Sequence, residues 1–189
     1  MAKFYIGIVA EKGAGKSFFV RVVRKLLGQK NIVSIRFSEP MREILAILGK
    51  EETRENMQIL TTALREGFKD DGVLNPAVKK RIQGLEADIV ILDGVRKKEE
   101  ARMVKDLGGV LVFITAEQKL RFERRLNDPE NKDEEKMNWE QFVKQDLAQT
   151  EVSIREVGEK MADVKIENNG IVEEFEEKIK EFLKNHLKN

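Results

Sequence analysis

One short stretch near the start of the chain constrains the fold more than any other. Residues 4–9 form an apolar run that predicts a buried strand, and the loop A-E-K-G-A-G-K-S at 10–17 follows it directly. Apolar residues at helical spacing between Phe18 and Leu27 then predict a helix. A strand, a glycine-containing loop and a helix that opens with Lys-Ser form the phosphate-binding P-loop arrangement. The sequence therefore predicts a phosphate site at the end of the first strand.

The loop residues suit the chemistry of such a site. Gly13 and Gly15 allow backbone N–H groups to converge on phosphate oxygens, and the helix N-terminus adds partial positive charge. Lys16 is predicted to reach the β- and γ-phosphates, and the Ser17 hydroxyl to ligate Mg²⁺. The loop departs from G-x-x-x-x-G-K-[ST] at Ala10, where alanine can serve if its φ angle is negative. The alternative is a glycine-rich turn with a surface lysine.

Length, charge and cysteine content bound the class of protein. At 189 residues, positions 1–189 are expected to form a single domain with a sizeable core. A net charge of +1 gives no global electrostatic case for nucleic acid or an anionic membrane, so we expect neither as a partner. No cysteine is present, which excludes disulfides and thiolate metal sites. No apolar run approaches membrane-spanning length, so a cytoplasmic location is expected; the sequence does not indicate an oligomeric state.

Strand-like and helix-like patterns alternate along the whole chain. The predicted strands are residues 4–9, 31–37, 87–92, 109–115 and 162–167. Such alternation is typical of an α/β fold in which helices cover both faces of a parallel sheet, with sites at the carboxyl ends of the strands. Residues 50–85 hold much helix and no clear strand, which predicts an inserted cap over the site.

Polar residues that follow the predicted strands form a candidate site. Asp93 comes after four apolar residues and is predicted to hold Mg²⁺ or its water, with a helix-capping role as the alternative. Arginine binds phosphate through paired N–H groups, so arginines at this edge suit an anionic second substrate. The predicted substrate-binding residues are Ser38, Arg42, Arg65 and Arg96. Each alone can equally be an ordinary surface residue, and only their shared placement favours a site.

Two arginines precede the most polar segment of the chain. Residues 117–127 predict a helix on which Arg121 and Arg125 share one face, and residues 127–138 predict a polar loop. A loop anchored in this way can close over a phosphate site and stabilise transferring charge, so we predict that both arginines act in catalysis together with Lys16 and Asp93. The alternative is a solvated basic stripe.

Taken together, these motifs resemble the nucleoside monophosphate kinase-like branch of P-loop phosphotransferases. That branch includes adenylate kinases, deoxynucleoside monophosphate kinases and dephospho-CoA kinases. The resemblance spans nearly the whole chain. It is carried by A-E-K-G-A-G-K-S at 10–17, L-D-G-V-R at 92–96, the R-x-x-x-R of Arg121 and Arg125, and A-D-V-K-I-E-N-N-G at 162–170. It implies a three-layer P-loop NTPase fold with five parallel strands ordered 2-3-1-4-5. It also implies a helical acceptor-binding insert at about 50–85 and a short lid at about 127–138.

The resemblance also implies roles for single residues. Arg121 would lie near the adenine and Arg125 at the phosphates, while Asn169 and Gly170 would line the adenine face. Phe18 stands where many members have a small hydroxyl residue. The implied ATP-binding residues are Lys12, Gly13, Ala14, Gly15, Lys16, Ser17, Phe18, Arg121, Asn169 and Gly170, and the implied Mg²⁺ ligands are Ser17 and Asp93.

The function that these residues favour is ATP- and Mg²⁺-dependent transfer of a γ-phosphoryl group to a nucleoside or deoxynucleoside monophosphate. A monophosphate is already an anionic nucleophile and needs positive charge, whereas a hydroxyl acceptor needs a carboxylate to take its proton. Dephospho-CoA kinases place an Asp just after the second strand, where this chain has F-S-E-P-M-R at 37–42. Two alternatives stay open. One is a hydroxyl-directed kinase that uses Glu39, and the other is a regulatory ATP-binding or ATPase module.

Overall fold

The computed structural model describes residues 3–127 and 137–187, and within these ranges it contains five strands and nine helices. The strands are β1 (Phe4–Ala10), β2 (Ile32–Arg36), β3 (Ile89–Asp93), β4 (Val110–Thr115) and β5 (Val164–Glu167). The helices are α1 (Lys16–Leu26), α2 (Glu39–Ile47), α3 (Arg54–Phe68), α4 (Asn75–Gln83), α5 (Lys98–Asp106), α6 (Gln118–Asn127), α7 (Trp139–Asp146), α8 (Gln149–Met161) and α9 (Val172–His186).

The five strands form one parallel sheet in the order β2-β3-β1-β4-β5, which confirms the predicted fold class and strand order. The register aligns the strand ends. Asp93 at the end of β3 pairs with Ile8 of β1 on one side and with Arg36 at the end of β2 on the other. The carboxyl ends of these three strands therefore meet at one edge of the sheet, where an α/β sheet places its ligand site.

Helices bury both faces of the sheet. Ile6 and Ile8 of β1 belong to an apolar cluster with residues of α1 and α9, whereas Val9 belongs to a second cluster with residues of α5 and α8. All five residues of β3 are buried, because this strand lies inside the sheet and is covered on both sides. That burial explains why β3 appears in the sequence as a continuous apolar run rather than as an alternating one.

The structure departs from the predicted boundaries by one or two residues at several places. β5 begins at Val164 instead of Ala162, because the carboxylate of Asp163 accepts a hydrogen bond from the backbone N–H of Leu111 (2.8 Å) and pairs with Lys105 (2.5 Å). β2 ends at Arg36, one residue before the predicted end.

The predicted insert and lid differ in how far the structure describes them. Within residues 50–85 the fold forms α3 and α4 and no strand, while their role in binding an acceptor stays a prediction. Most of the predicted lid, at 128–136, lies outside the described residues. None of the helices in the described ranges combines the length and apolar character that a membrane crossing requires.

Candidate active site

The loop between β1 and α1 has the backbone geometry that its glycines predict. Gly13 has φ +75° and Gly15 has φ +104°, a left-handed region that residues with a Cβ atom rarely adopt. A Cβ atom on Gly13 would lie 2.5 Å from the carbonyl oxygen of Arg121. Both glycines are therefore required by conformation, and Gly13 also by close contact with α6.

The backbone at position 10 does not require glycine. Across residues 3–127 and 137–187, Lys69 is the one non-glycine residue with a positive φ angle. Ala10 therefore has the negative φ angle under which alanine can replace the glycine of the motif. Ala10 is the last residue of β1 and continues the ladder with β4. The departure from the P-loop motif at this position consequently leaves the loop backbone unstrained.

Substituting Ala10 with glycine is expected to leave the dissociation constant for ATP within about twofold of the wild-type value. The backbone does not use the extra freedom that glycine provides, so the variant should lose about 0.5–1 kcal/mol of stability instead. Isothermal calorimetry and urea unfolding measure the two effects. A gain in ATP affinity of tenfold or more would contradict the proposed loop geometry.

Lys16 and Asp93 meet at the shared edge of the sheet. The Nζ atom of Lys16, at the start of α1, lies 2.6 Å from Oδ1 of Asp93, at the end of β3. Ser17 is exposed beside them. A hydroxyl and a carboxylate are oxygen ligands of the kind Mg²⁺ uses when it also holds phosphates and waters, so Ser17 and Asp93 fit that ion. The structure thus brings together the residues predicted for phosphate and metal.

A ring of four charged side chains, Glu11, Arg121, Asp146 and Arg155, lies against the P-loop. Arg121 donates to both carboxylate oxygens of Asp146 (2.6 and 2.9 Å), and Arg155 lies 2.7 Å from Asp146 and 2.7 Å from Glu11. Glu11 closes the ring at 3.4 Å from Arg121. Arg121 and Asp146 are 3% and 4% exposed, whereas the Arg155 side chain is 33% exposed. This charge ring ties the P-loop to α6, α7 and α8.

Neutral neighbours complete the charge ring. The Thr115 hydroxyl donates to Glu11, and the Gln118 amide donates to Asp146 at 2.8 Å. Burial alone would raise the pKa of Asp146. The hydrogen bonds and charge of Arg121, the hydrogen bond of Gln118 and the charge of Arg155 together outweigh burial and lower that pKa. Burial would likewise lower the pKa of Arg155, and its partners Glu11 and Asp146 raise it. Asp146 and Arg155 therefore both stay ionised around neutral pH.

The placement of Arg121 bears on its predicted role. Its Nε donates to the Ala116 carbonyl at 3.0 Å, and its Nη atoms are engaged by Asp146, so these contacts assign it a structural role. Arg125 is also buried, on the same helix. The predicted contacts of both arginines with ATP, and their action in catalysis, stay predictions.

The loop after β5 supports the P-loop from the other side. The buried Asn168 donates from Nδ2 to the Ala14 carbonyl at 2.9 Å, and Nη2 of Arg124 lies 3.4 Å from Asn168 Oδ1. Burial lowers the pKa of Arg124, and its Nη1 is buried with no hydrogen-bond partner among residues 3–127 and 137–187. Sequence reasoning missed both residues, although Asn168 belongs to the N-N-G motif. The predicted Asn169 accepts from the Glu117 N–H at 2.8 Å.

Two other P-loop residues have specific neighbours. Phe18 stacks on Phe175 of α9 with ring centroids 5.7 Å apart, and the guanidinium of Arg21 lies 5.4 Å from the Phe18 centroid. Lys12 lies 3.0 Å from the buried carboxylate of Glu151 in α8. The Phe18 side chain, at a position where many members of the similar family have a small hydroxyl residue, thus packs against the aromatic ring of Phe175.

Glu100 connects two of the predicted substrate-binding arginines. Its Oε1 accepts from Nη2 of Arg65 in α3 (2.8 Å), and its Oε2 accepts from the backbone N–H groups of Arg96 (2.7 Å) and Lys97 (3.2 Å). Burial raises the pKa of Glu100, and these N–H groups and the charge of Arg65 offset part of the rise. The structure therefore brings Arg65 to the loop that follows β3.

The remaining predicted residues lie at the start of α2. Ser38 is the residue before its first turn, and Arg42 pairs with Glu52. Burial, and then the positive charge of Arg36, lower the pKa of Arg42. Arg36 lies 3.9 Å from Asp93, measured from Nε to Oδ2, and sequence reasoning did not select it.

Comparisons with known proteins agree with this geometry. A family model described as an AAA domain matches residues 12–143. A UPF0200 protein of Sulfurisphaera tokodaii is 31% identical over 183 residues, which cover 96% of this chain and 97% of that protein. Among solved structures, a shikimate kinase from Bacteroides thetaiotaomicron superposes with a TM-score of 0.60 at 13% identity, covering 96% of this chain and 97% of that chain. A gluconokinase from Sinorhizobium meliloti gives 0.55 at 13% identity, with 97% and 95% covered.

The structural likenesses, at these identities, show the fold alone, which is that of P-loop kinases. They do not select the nucleoside monophosphate kinase branch that the sequence motifs resemble. The chain belongs to the AAA domain family, by the match over residues 12–143, and to the UPF0200 proteins.

Proposed function

We propose that this protein is an ATP- and Mg²⁺-dependent phosphotransferase that moves the γ-phosphoryl group of ATP to a nucleoside or deoxynucleoside monophosphate. The observation that carries the proposal is the meeting of Lys16 with Asp93 at the edge of the sheet where β2 ends on a further guanidinium, that of Arg36. Lys16 Nζ and Asp93 Oδ1 are 2.6 Å apart, and Arg36 approaches the same carboxylate. Such an edge offers positive charge to a second anion.

The donor half of the reaction rests on the P-loop. Backbone N–H groups around Gly13 and Gly15, the start of α1 and the Lys16 ammonium would hold the ATP phosphates. Arg124, with its buried Nη1, is the arginine of α6 that contacts the loop after β5, and it would serve the nucleotide side of the site. Ser17 and Asp93 would hold Mg²⁺, which neutralises phosphate charge when bound.

Transfer to a phosphate acceptor needs positioning and charge but no base. An oxygen of the acceptor phosphate forms a bond to the γ-phosphorus, the bond from that phosphorus to the β–γ bridging oxygen breaks, and ADP leaves with the electron pair. The acceptor oxygen is already ionised, so no proton has to be removed. Arg42, Arg65 and Arg96 would hold the acceptor in line.

The contacts of Glu39 also favour a phosphate acceptor. In a hydroxyl-directed kinase this residue would have to act as the base. Its Oε1 accepts instead from the backbone N–H of Arg36 at 3.2 Å, and its Oε2 lies 3.9 Å from Nε of Arg81. The Glu39 carboxylate thus already has a backbone partner in its own turn and a guanidinium partner in α4.

A coupled assay of ADP release tests the proposal. The protein is given ATP, Mg²⁺ and, in turn, each nucleoside monophosphate, each deoxynucleoside monophosphate and dephospho-CoA. We expect one group of monophosphates to raise turnover at least about tenfold over the acceptor-free rate. Stimulation by dephospho-CoA alone would instead indicate a hydroxyl-directed kinase. ATP binding without stimulation by any acceptor would indicate a regulatory nucleotide-binding module.

A further inference from the structure

Arg36 occupies a position that none of the roles described above uses. It is the last residue of β2, and it pairs in register with Asp93, the last residue of β3. The backbone N–H of Phe37 donates to the Asp93 carbonyl at 3.1 Å, which holds the two strand ends together. The Arg36 side chain is 59% exposed, and its Nε lies 3.9 Å from Oδ2 of Asp93. Arg36 therefore lies at the exposed edge of the candidate site, next to Asp93, rather than inside the sheet.

Two cations share the carboxylate of Asp93 from opposite sides. Lys16 contacts Oδ1 from the β1 side of β3, whereas Arg36 approaches Oδ2 from the β2 side. A bound nucleotide would draw Lys16 to its phosphates, because that lysine opens the helix after the P-loop. Arg36 is not part of the P-loop, so its exposed guanidinium would remain available to a second anionic substrate at the end of β2.

A second guanidinium lies at the start of α2. Arg42, on the first turns of that helix, pairs with Glu52, and burial and then the positive charge of Arg36 lower its pKa. The Nε of Arg42 is buried and has no hydrogen-bond partner within the described part of the chain. Glu39 accepts from the Arg36 backbone N–H and so fixes the turn that leads from one arginine to the other. The segment from the end of β2 to the first turns of α2 therefore carries two guanidiniums, and the Arg36 side chain is the more exposed of them, at 59% against 36%.

We propose that Arg36 is a specificity-determining residue that binds the phosphate group of the acceptor and selects phosphorylated acceptors over hydroxyl acceptors. This inference rests on the proposed phosphotransfer function and names a residue that determines its substrate class. A guanidinium binds phosphate through paired N–H donors and stays charged at all working pH values. It cannot take the proton of a hydroxyl acceptor, which a carboxylate at the same strand end could do. The residue at the end of β2 thus decides the class of nucleophile.

Steady-state kinetics on three variants tests this role. Arg36→Gln is expected to raise the KM for the monophosphate acceptor at least about tenfold while leaving the KM for ATP within about twofold. Arg36→Lys, which keeps the charge but not the paired donors, should fall between that variant and the wild type. Arg102→Gln is the matched control, because Arg102 is 65% exposed and, among the residues that the structure describes, forms its ion pair with Glu99 of its own helix. Equal increases in the KM values for ATP and for the acceptor would overturn the proposal, since they would indicate that Arg36 acts only by positioning Asp93.

A binding measurement separates this inference from the proposed function. Inorganic phosphate is titrated into protein saturated with Mg²⁺ and a non-hydrolysable ATP analogue, and binding is followed by ³¹P NMR line width. We expect the wild type and Arg102→Gln to bind phosphate equally, and Arg36→Gln to bind it at least about tenfold more weakly. Binding lost in Arg36→Gln, with no acceptor-stimulated turnover in the wild type, would keep the anion site and reject the kinase. Equal binding by wild type and Arg36→Gln, or no binding by the wild type, would overturn the role of Arg36.

Discussion

Substituting Lys16 with alanine is expected to lower acceptor-stimulated ADP formation at least about 100-fold, the loss typical of removing one preorganised charge from a transfer site. The ammonium lies 2.6 Å from Asp93, at the start of α1, and is predicted to reach the β- and γ-phosphates of ATP. The fold should survive, because the Lys16 side chain is partly exposed and Arg36 still lies 3.9 Å from the Asp93 carboxylate. Coupled ADP-release kinetics and thermal unfolding measure the two effects.

Lys25→Ala serves as the control for that experiment. Lys25 lies on the same helix, is exposed and is 3.6 Å from Glu176, far from the strand ends. We expect its turnover to equal that of the wild type. Full activity in Lys16→Ala would mean that the loop does not hold the transferred phosphoryl group. Unfolding of Lys16→Ala would instead be seen directly as a lost thermal transition.

Substituting Asp146 with alanine is expected to destabilise the protein by about 3–5 kcal/mol, because it leaves the buried guanidinium of Arg121 without its bidentate partner. Arg121 is almost fully buried, and in the variant it would keep its hydrogen bond to the Ala116 carbonyl and a longer ion pair with Glu11, at 3.4 Å. Urea unfolding at neutral pH measures the loss. Glu177→Ala, which removes an exposed pair with Lys180 in α9, should leave the free energy of unfolding nearly unchanged.

A double variant tests whether the cost comes from an uncompensated charge. Arg121→Met combined with Asp146→Leu removes both charges and fills the space with apolar side chains, so it should be more stable than Asp146→Ala. Arg155 and Glu11 remain paired with each other in that variant. A loss below about 1 kcal/mol for Asp146→Ala would show that the charge ring does not stabilise the fold.

The sign of the pH dependence follows from the lowered pKa of Asp146. A carboxyl whose pKa is lowered on folding stabilises the protein above its unfolded pKa, about 3.9, and loses that contribution as the pH falls through its folded value. The wild type should therefore lose stability in strong acid, and Asp146→Ala should lose less over the same interval.

Local patterns were enough to predict the framework of this protein. The apolar run of β3, the glycine-containing loop and the helical spacing of α1 are encoded within short windows, and all of them are found in the structure. The order of the strands came from the family resemblance, and the structure confirms it.

The partners of the charged side chains were not predictable in the same way. The contact of Arg121 with ATP was predicted from the family resemblance, and its partners were not predicted at all. Asp146 is 25 residues further along the chain, and Glu11 belongs to the P-loop itself. Only the packing of α6 and α7 against the loop brings them together. Arg36 was missed because the strand was predicted to run to Phe37, which places Arg36 inside the sheet. In the structure β2 ends at Arg36, level with Asp93.

The hydrogen bond from Asn168 to the Ala14 carbonyl ties the loop after β5 to the P-loop, where we propose that the nucleotide binds. Phe175, in the first turn of α9, packs within 3.1 Å of the place a Cβ atom on Gly15 would occupy, so the helix also supports the loop sterically. Undocking of α9 and release of nucleotide are therefore linked equilibria, and each shifts the other by the same free energy. Bound ATP should slow hydrogen exchange in α9, although no residue of that helix lies among the phosphate-binding groups.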